Sequence, residues 1–254
     1  MRRLAILLLP LVVALVGVTP AVAVTPPPTG TDVDYQLGGV RTVPASVGIV
    51  VRDREARPAP DRYNVCYVNG FQTQPGERAL WRRHPRLVLR DGHGRPVVDE
   101  AWGEQLLDVR TTAKRTKLAA IVGRWTRGCA RAGYDAVEYD NLDSFTRSGG
   151  LVKRREAVAY ARLLVRAAHR AGLAAGQKNL ADLDGTKVGF DFAVAEECGR
   201  YRECGTYVRH YGRHVLAIEY RGADFRWTCP AYGARLAVVL RDRDLSPTGV
   251  RRFC

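Results

Sequence analysis

Acids recur at one kind of place in this sequence, the end of a short apolar run. Asp34, Asp53, Asp140, Glu196, Glu197, Glu219 and Asp242 all stand at or near such ends, beside Asn69, Asn141, Lys178, Asn179 and Tyr220. The chain has only 26 Asp and Glu, and acids placed at random would scatter over loops and helices. Two positions stand out. Glu138 and Asp140 alternate within DAVEYDN, and alternate residues of a strand point to one face. Glu196 closes the apolar run FDFAVAEE. A pair of carboxylates facing across a cleft is the equipment for cutting a glycosidic bond. One must carry a proton for the leaving oxygen; the other must be charged, to attack or to activate water. Neighbouring acids such as Glu138 and Glu197 raise the pKa of one partner by like-charge repulsion. The plainer reading is ion pairing, Asp53 with Arg52 and Asp242 with Arg241, and it accounts for some of these acids.

Other chemistries find less support. Lys178 at a run end has the type for a Schiff base, but an ion pair or hydrogen bonds to sugar hydroxyls are simpler roles. No G-x-S-x-G and no phosphate-cradling loop occurs. There is no C-x-x-C, and the five His do not cluster, so no metal and no cofactor is expected.

The elements that must position these residues can be read from periodicity. Apolar runs occur at 32–37, 47–53, 64–69, 135–141, 173–179, 190–197, 214–220 and 235–242. Between several of them lie helical patterns, 117–132 stopped by Gly133 and 151–171 stopped by Gly172. Strand, helix, glycine, strand is the grammar of parallel βα units. Eight such strands suit an α/β fold, a single-domain (β/α)8 TIM barrel over 32–254, with short or missing helices after the first strands. An open doubly wound sheet would need a glycine-rich fingerprint after its first strand, and Gly38-Gly39 is too little. Barrel sites lie at the carboxyl ends of strands, so acids on the fourth and sixth strands would meet over the mouth.

Composition sets the context. The 254 residues are 46% hydrophobic, which supports a packed core and excludes a disordered or collagen-like chain. Arg2 and Arg3, an apolar stretch broken by Pro10, and Ala21-Val22-Ala23 form a secretory signal peptide over 1–23. The rival reading, a membrane anchor, meets a run that is short and interrupted. A Pro-rich linker over 24–31 follows, and no later stretch is long and apolar enough to span a bilayer, so no membrane partner is expected. Six cysteines remain in an exported chain and read as disulfides: Cys66, Cys129, Cys198, Cys204, Cys229 and Cys254. Chain proximity favours Cys198–Cys204 and Cys229–Cys254, leaving Cys66–Cys129, although six cysteines allow about 15 connectivities. The formal net charge of +14 is spread along the chain without a basic arm. It marks a solvated surface, not a nucleic-acid partner, and a monomer is expected.

Taken in order, Val137-Glu138-Tyr139-Asp140-Asn141-Leu142-Asp143, Gly176-Gln177-Lys178-Asn179 and Phe190 to Cys198 resemble glycoside hydrolase family 114, the endo-α-1,4-polygalactosaminidase family. Tyr201-x-Glu203-Cys204 and Ile218-Glu219-Tyr220 continue the likeness. The resemblance implies a (β/α)8 barrel and a secreted hydrolase cutting α-1,4 bonds in galactosamine-containing polysaccharide. It implies Asp140 and Glu196, not Glu197, as the catalytic pair. It places Lys178, Asn179, Glu219 and Tyr220 at sugar-binding positions, to which Asp34, Asp53, Tyr67, Glu138 and Asn141 are added as substrate-binding candidates. The chain departs from the family where a W-x-W-Q segment is common and Asp34-Tyr35-Gln36-Leu37 stands instead, and where Ala195 replaces an Asn. The alternative is a noncatalytic barrel that binds glycan; a basic anion-binding protein is the third reading.

Overall fold

Every one of the eight apolar runs forms a strand. The computed structural model describes residues 24–254, and the expected signal peptide at 1–23 lies outside them. The chain begins with β1 (Asp32–Gln36), β2 (Val47–Asp53) and β3 (Tyr63–Asn69), with no helix between them. An excursion follows, carrying α1 (Arg78–Arg83) and a two-stranded ribbon of β4 (Val98–Asp99) and β5 (Glu104–Gln105). Then come α2 (Thr112–Ala132), β6 (Ala136–Asp140), α3 (Arg154–Arg170), β7 (Ala174–Lys178) and β8 (Phe192–Glu196). The chain continues through α4 (Cys204–Tyr211), β9 (Val215–Glu219), α5 (Gly222–Tyr232), β10 (Ala237–Arg241) and β11 (Arg251–Phe253).

The sheet runs β1-β2-β3-β6-β7-β8-β9-β10-β11, with parallel pairing from β1 to β10. It curls until β1 lies against β10 and β11, so the architecture is the expected α/β barrel. Strands covered on both faces read as nearly unbroken apolar runs, which is why they were visible in the sequence. Val33, Ile49, Val51, Val65, Phe192, Val194 and Ile218 fill the barrel interior. A Cβ on Gly176 would sit 2.6 Å from the Phe192 ring, so glycine there makes room for it. Outside, α2 and α3 bury Leu118, Val122, Leu164 and Val165 in a second apolar layer.

Three features depart from the sequence reading. A ninth strand, β11, pairs antiparallel with β10 and covers its edge. Helix α2 begins at Thr112, earlier than the apolar pattern, because the Thr111 hydroxyl accepts from Lys114 N and caps it. The excursion after β3, in which no element was expected, forms one wall above the barrel mouth. The seam between the first and last strands is held by buried charge. Arg251 of β11 donates to Asp34 Oδ2 at 2.6 Å, and Arg241 Nη1 lies 3.9 Å from Asp34 Oδ1.

The disulfides join Cys66–Cys129, Cys198–Cys204 and Cys229–Cys254, as chain proximity favoured. Among the described residues no helix is long and apolar enough to cross a membrane. The bonds close loops of 63, 6 and 25 residues respectively. Loop-closure entropy then ranks their losses at about 4, about 2 and about 3.5 kcal/mol. Denaturant unfolding of the three paired Cys→Ala variants checks that order, with Cys66–Cys129 removal the most damaging.

Candidate active site

Three neighbouring strands end in the same way. Immediately after β6, β7 and β8 the chain turns through left-handed backbone at Asn141 (φ 66°), Asn179 (φ 52°) and Glu197 (φ 54°). Asn tolerates that region better than most side chains; Glu does not, and such strain gathers at functional sites. The turns leave Asp140, Lys178 and Glu196 as the last strand residues, at the floor of a cleft of about 510 Å³.

Lys178 is the centre of the arrangement. It is buried, and its Nζ lies 2.9 Å from Glu138 Oε1, 3.4 Å from Asp140 Oδ1 and 3.4 Å from Glu196 Oε2. Burial opposes its charge, but Asp140, Glu138 and Glu196 outweigh burial and hold its pKa well above the ordinary lysine value. Tyr35 donates to Glu138 at 2.6 Å, and Lys178 donates to the Tyr35 hydroxyl at 2.9 Å. Burial, with Asp140 adding to it and Lys178 opposing, raises Glu138 to about 7. Beneath the two cleft acids lies a third that holds its proton more easily than an ordinary carboxyl.

Each cleft acid has its own tyrosine and its own asparagine. Tyr67 donates to Asp140 Oδ2 at 2.7 Å, and the Asn141 backbone N–H donates to Asp140 Oδ1 at 2.7 Å. Tyr220 donates to Glu196 Oε1; Asn179 Nδ2 donates to Glu196 Oε2 at 3.2 Å, while its Oδ1 accepts from Glu196 N at 2.9 Å. Burial, reinforced by the adjacent carboxylate, pushes both phenols well above the usual tyrosine range. They therefore remain neutral donors.

Of the catalytic and substrate-binding candidates, Asp53, Tyr67, Asp140, Asn141, Lys178, Asn179, Glu196 and Tyr220 line one cleft. Three do not. Asp34 is fully buried and bound to Arg251 and Gln36 in the barrel seam. Glu219 is fully buried, accepting from Gly199 N at 2.7 Å and from Thr228 Oγ1 at 3.3 Å. Glu138 lies under Lys178, with no exposed surface. The sugar-binding expectation for these three is corrected accordingly: an enclosed carboxylate cannot meet a polymer. Of the two arginine pairings weighed, Arg241–Asp242 forms at 3.5 Å. Arg52 turns away from Asp53 to Gln36 and the Arg57 carbonyl. Glu197 faces Arg200 and Arg243, leaving Glu196 alone at the floor.

The cleft also holds residues that the sequence reading passed over. Asp99, Trp102 and Glu104 come from the β4–β5 ribbon, Asp143 and Arg147 from the segment after β6, and Arg243 from that after β10. Trp102 is 59% exposed, an aromatic face free for a sugar ring. Trp102-Gly103-Glu104 was the only signal, and it lay outside any periodic element.

The Lys178 cluster makes a sharp expectation. Removing a buried cation leaves its partners uncompensated, a cost of about 3–5 kcal/mol. In Lys178→Met the carboxylates take up protons more readily folded than unfolded, so the deficit grows as pH rises and shrinks as it falls. Chemical unfolding should show a large loss at neutral pH that narrows toward pH 5; an equal loss at both pH values would refute this electrostatic role.

Among curated protein sequences none matches this chain. Ega3 from Aspergillus fumigatus, crystallised in complex with galactosamine, has the same fold, with a TM-score of 0.76 at 19% identity over 93% of this chain and 100% of that one. The glycoside hydrolase domain of PelA from Pseudomonas aeruginosa gives a TM-score of 0.58 at 18% identity, over 86% of this chain and 97% of that one. The sequence profile of glycoside-hydrolase family GH114 matches residues 16–254. That match spans the barrel and the cleft from end to end, and the chain belongs to glycoside-hydrolase family GH114.

Proposed function

We propose that this glycoside hydrolase is secreted and cleaves α-1,4 bonds in galactosamine-containing polysaccharide, with Asp140 and Glu196 as its catalytic pair. The observation that carries the reading is the convergence of these two carboxylates on one ammonium at the floor of an open cleft. A galactosamine ligand in the structure of Ega3 supports the substrate class. Three disulfides suit an oxidising, extracytoplasmic compartment, and the matched barrel region is read as one domain acting as a monomer.

One carboxyl gives its proton to the glycosidic oxygen while the other meets the anomeric carbon or its water. Lys178 anchors both and keeps them in register with the sugar. The nearest oxygens of Asp140 and Glu196 each lie 3.4 Å from Lys178 Nζ, so their separation cannot exceed twice that distance. Retaining glycosidases hold the carboxyls about 5–5.5 Å apart and inverting ones about 6.5–9.5 Å. That ceiling admits the whole retaining range and only the lowest edge of the inverting one, and on that ground the reading takes direct attack by one carboxylate and a glycosyl-enzyme intermediate.

The polymer, when partly free of acetyl groups, is cationic, and so is this protein, whose full sequence carries a formal +14 before Arg2 and Arg3 leave with the signal peptide. Screening over about 8–10 Å at ordinary salt blunts that long-range repulsion. Acids at the cleft, Asp53, Glu104 and the pair itself, then decide the local field.

Reducing-end release from α-1,4-galactosamine polymer tests the reading. Asp140→Asn and Glu196→Gln should each lower the rate by about a thousandfold or more while retaining polymer binding. Full rate in both variants would sink the assignment, and binding without turnover in the unaltered protein would point to the noncatalytic barrel. Proton NMR of the first product should show the α-anomer before mutarotation.

A further inference from the structure

Behind the ribbon that walls the cleft lies a second hollow, of about 520 Å³ against the cleft's 510 Å³. Alternate residues of a strand face opposite ways, and on β5 Glu104 lines the cleft while Gln105 lines this groove. The groove's charge is the reverse of the acids at the floor. Arg78, Arg82 and Arg90 line it, and no acid does. Helix α1 sets Arg78 and Arg82 one turn apart, on one side. Arg90 is oriented by donating to the Gly94 carbonyl at 2.6 Å. All three are exposed, and among the described residues none has a carboxylate oxygen within 4.0 Å.

Beyond Arg90 the groove runs on into a hollow of about 320 Å³, which shares Pro85, Val88 and Arg90 and adds Arg86, Arg110 and Lys114. Its one acid, Asp108, is buried and already held by Arg110 and Lys114. Unpaired arginines are to be expected in a chain with 40 Lys and Arg against 26 acids. What sets these apart is a concave surface of one sign. The other arginine-lined hollow, beside Pro60, contains Asp61, and its guanidiniums are spent on Gln36 and on the carbonyls of Gly249, Arg57 and Asp61.

We propose that this groove docks an acidic polysaccharide, one that carries carboxylates on its sugars, at a site separate from the catalytic floor. A hollow lined by one sign of charge focuses its field on a polyanion, and guanidinium forks match carboxylates bidentately. Among the arginines stand Pro75, Pro85 and Pro96, rigid apolar surfaces for the faces of sugar rings. A single-stranded nucleic acid needs exposed aromatic faces for its bases. The groove's aromatic ring, Trp81, is buried, its Nε1 donating to Glu77 at 2.7 Å. The use of such a grip rests on the hydrolase reading given above. A polymer bearing free amines attracts polyanions, and a cationic enzyme that the polymer repels is drawn to its polyanionic companion. Held by the outer face of the ribbon, the protein keeps the cleft on the inner face free for the substrate.

Titration calorimetry of the whole protein with short polygalacturonate oligomers tests this, with dextran oligomers and single-stranded DNA as comparisons. The unaltered protein should bind the uronate and not dextran, and added salt should weaken the binding. Arg78→Gln, Arg82→Gln and Arg90→Gln combined should lower the affinity by about tenfold or more. Arg124→Gln, Arg127→Gln and Arg131→Gln combined remove the same charge from exposed positions of α2, and should change it by less than about threefold. An unchanged thermal unfolding midpoint checks that both triple variants fold. Equal losses in the two would overturn the proposal, since the attraction would then be diffuse. It is equally overturned if the unaltered protein binds no uronate, or binds DNA more tightly than uronate through the same arginines. Cleavage of short galactosamine oligomers, followed in parallel, should be unchanged in the groove variant. If the unaltered protein cuts none of them, the hydrolase reading fails while the docking result stands.

Discussion

A single buried ammonium governs this molecule. Lys178 sits at the end of β7, between the strands that carry Asp140 and Glu196, and above Glu138. Three carboxylates cannot share such a space unless a cation lies between them, and the cation cannot be buried without them. Tyr35 and Tyr67 complete the enclosure, each with its ring within 6 Å of Nζ. The cluster draws on β1, β3, β6, β7 and β8 at once, so the acids are placed only when the barrel itself is assembled. Geometry that depends on the whole fold is held more tightly than geometry on a loop.

Around that centre the two cleft acids receive matched support. Each has a neutral phenol on one oxygen and a hydrogen bond from its own or the preceding strand's asparagine on the other. The walls are not matched. The β3 side carries the acid-rich ribbon with Trp102, whereas the β10 side presents Arg243, stacked 5.5 Å over the Tyr220 ring. A bound chain thus meets a different set of side chains on either side of the floor.

Much of this was legible because a barrel strand advertises itself. Phe192 to Ala195 is apolar on both faces before Glu196, and Ala136 to Tyr139 is broken only by Glu138 before Asp140, so polarity at the run end marks the mouth. The same alternation shows why three assignments failed. Tyr35 and Ile218 point into the barrel, so their neighbours Asp34 and Glu219 point outward. Glu138 shares the face of Asp140 but lies two residues deeper, and depth is set by the stagger of neighbouring strands, not by one strand's sequence. Glu104 needed the path of the excursion after β3, which has no periodicity to read. Arg251-Arg252-Phe253 resembles no strand until Cys254 is tied to Cys229 and Arg241 donates to the Val250 carbonyl.

The seam joining β1 to the last strands has a kinetic meaning. Asp34 and Arg251 are 217 positions apart, and contacts so distant in sequence are among the slowest to form. Until they meet, the rims of β1 and β10 remain open templates for another chain. By strand order the seam lies across the barrel from β6 and β7. Breathing there would nonetheless reach the acids, because Tyr35 of β1 spans the interior from the seam to Glu138 and Lys178.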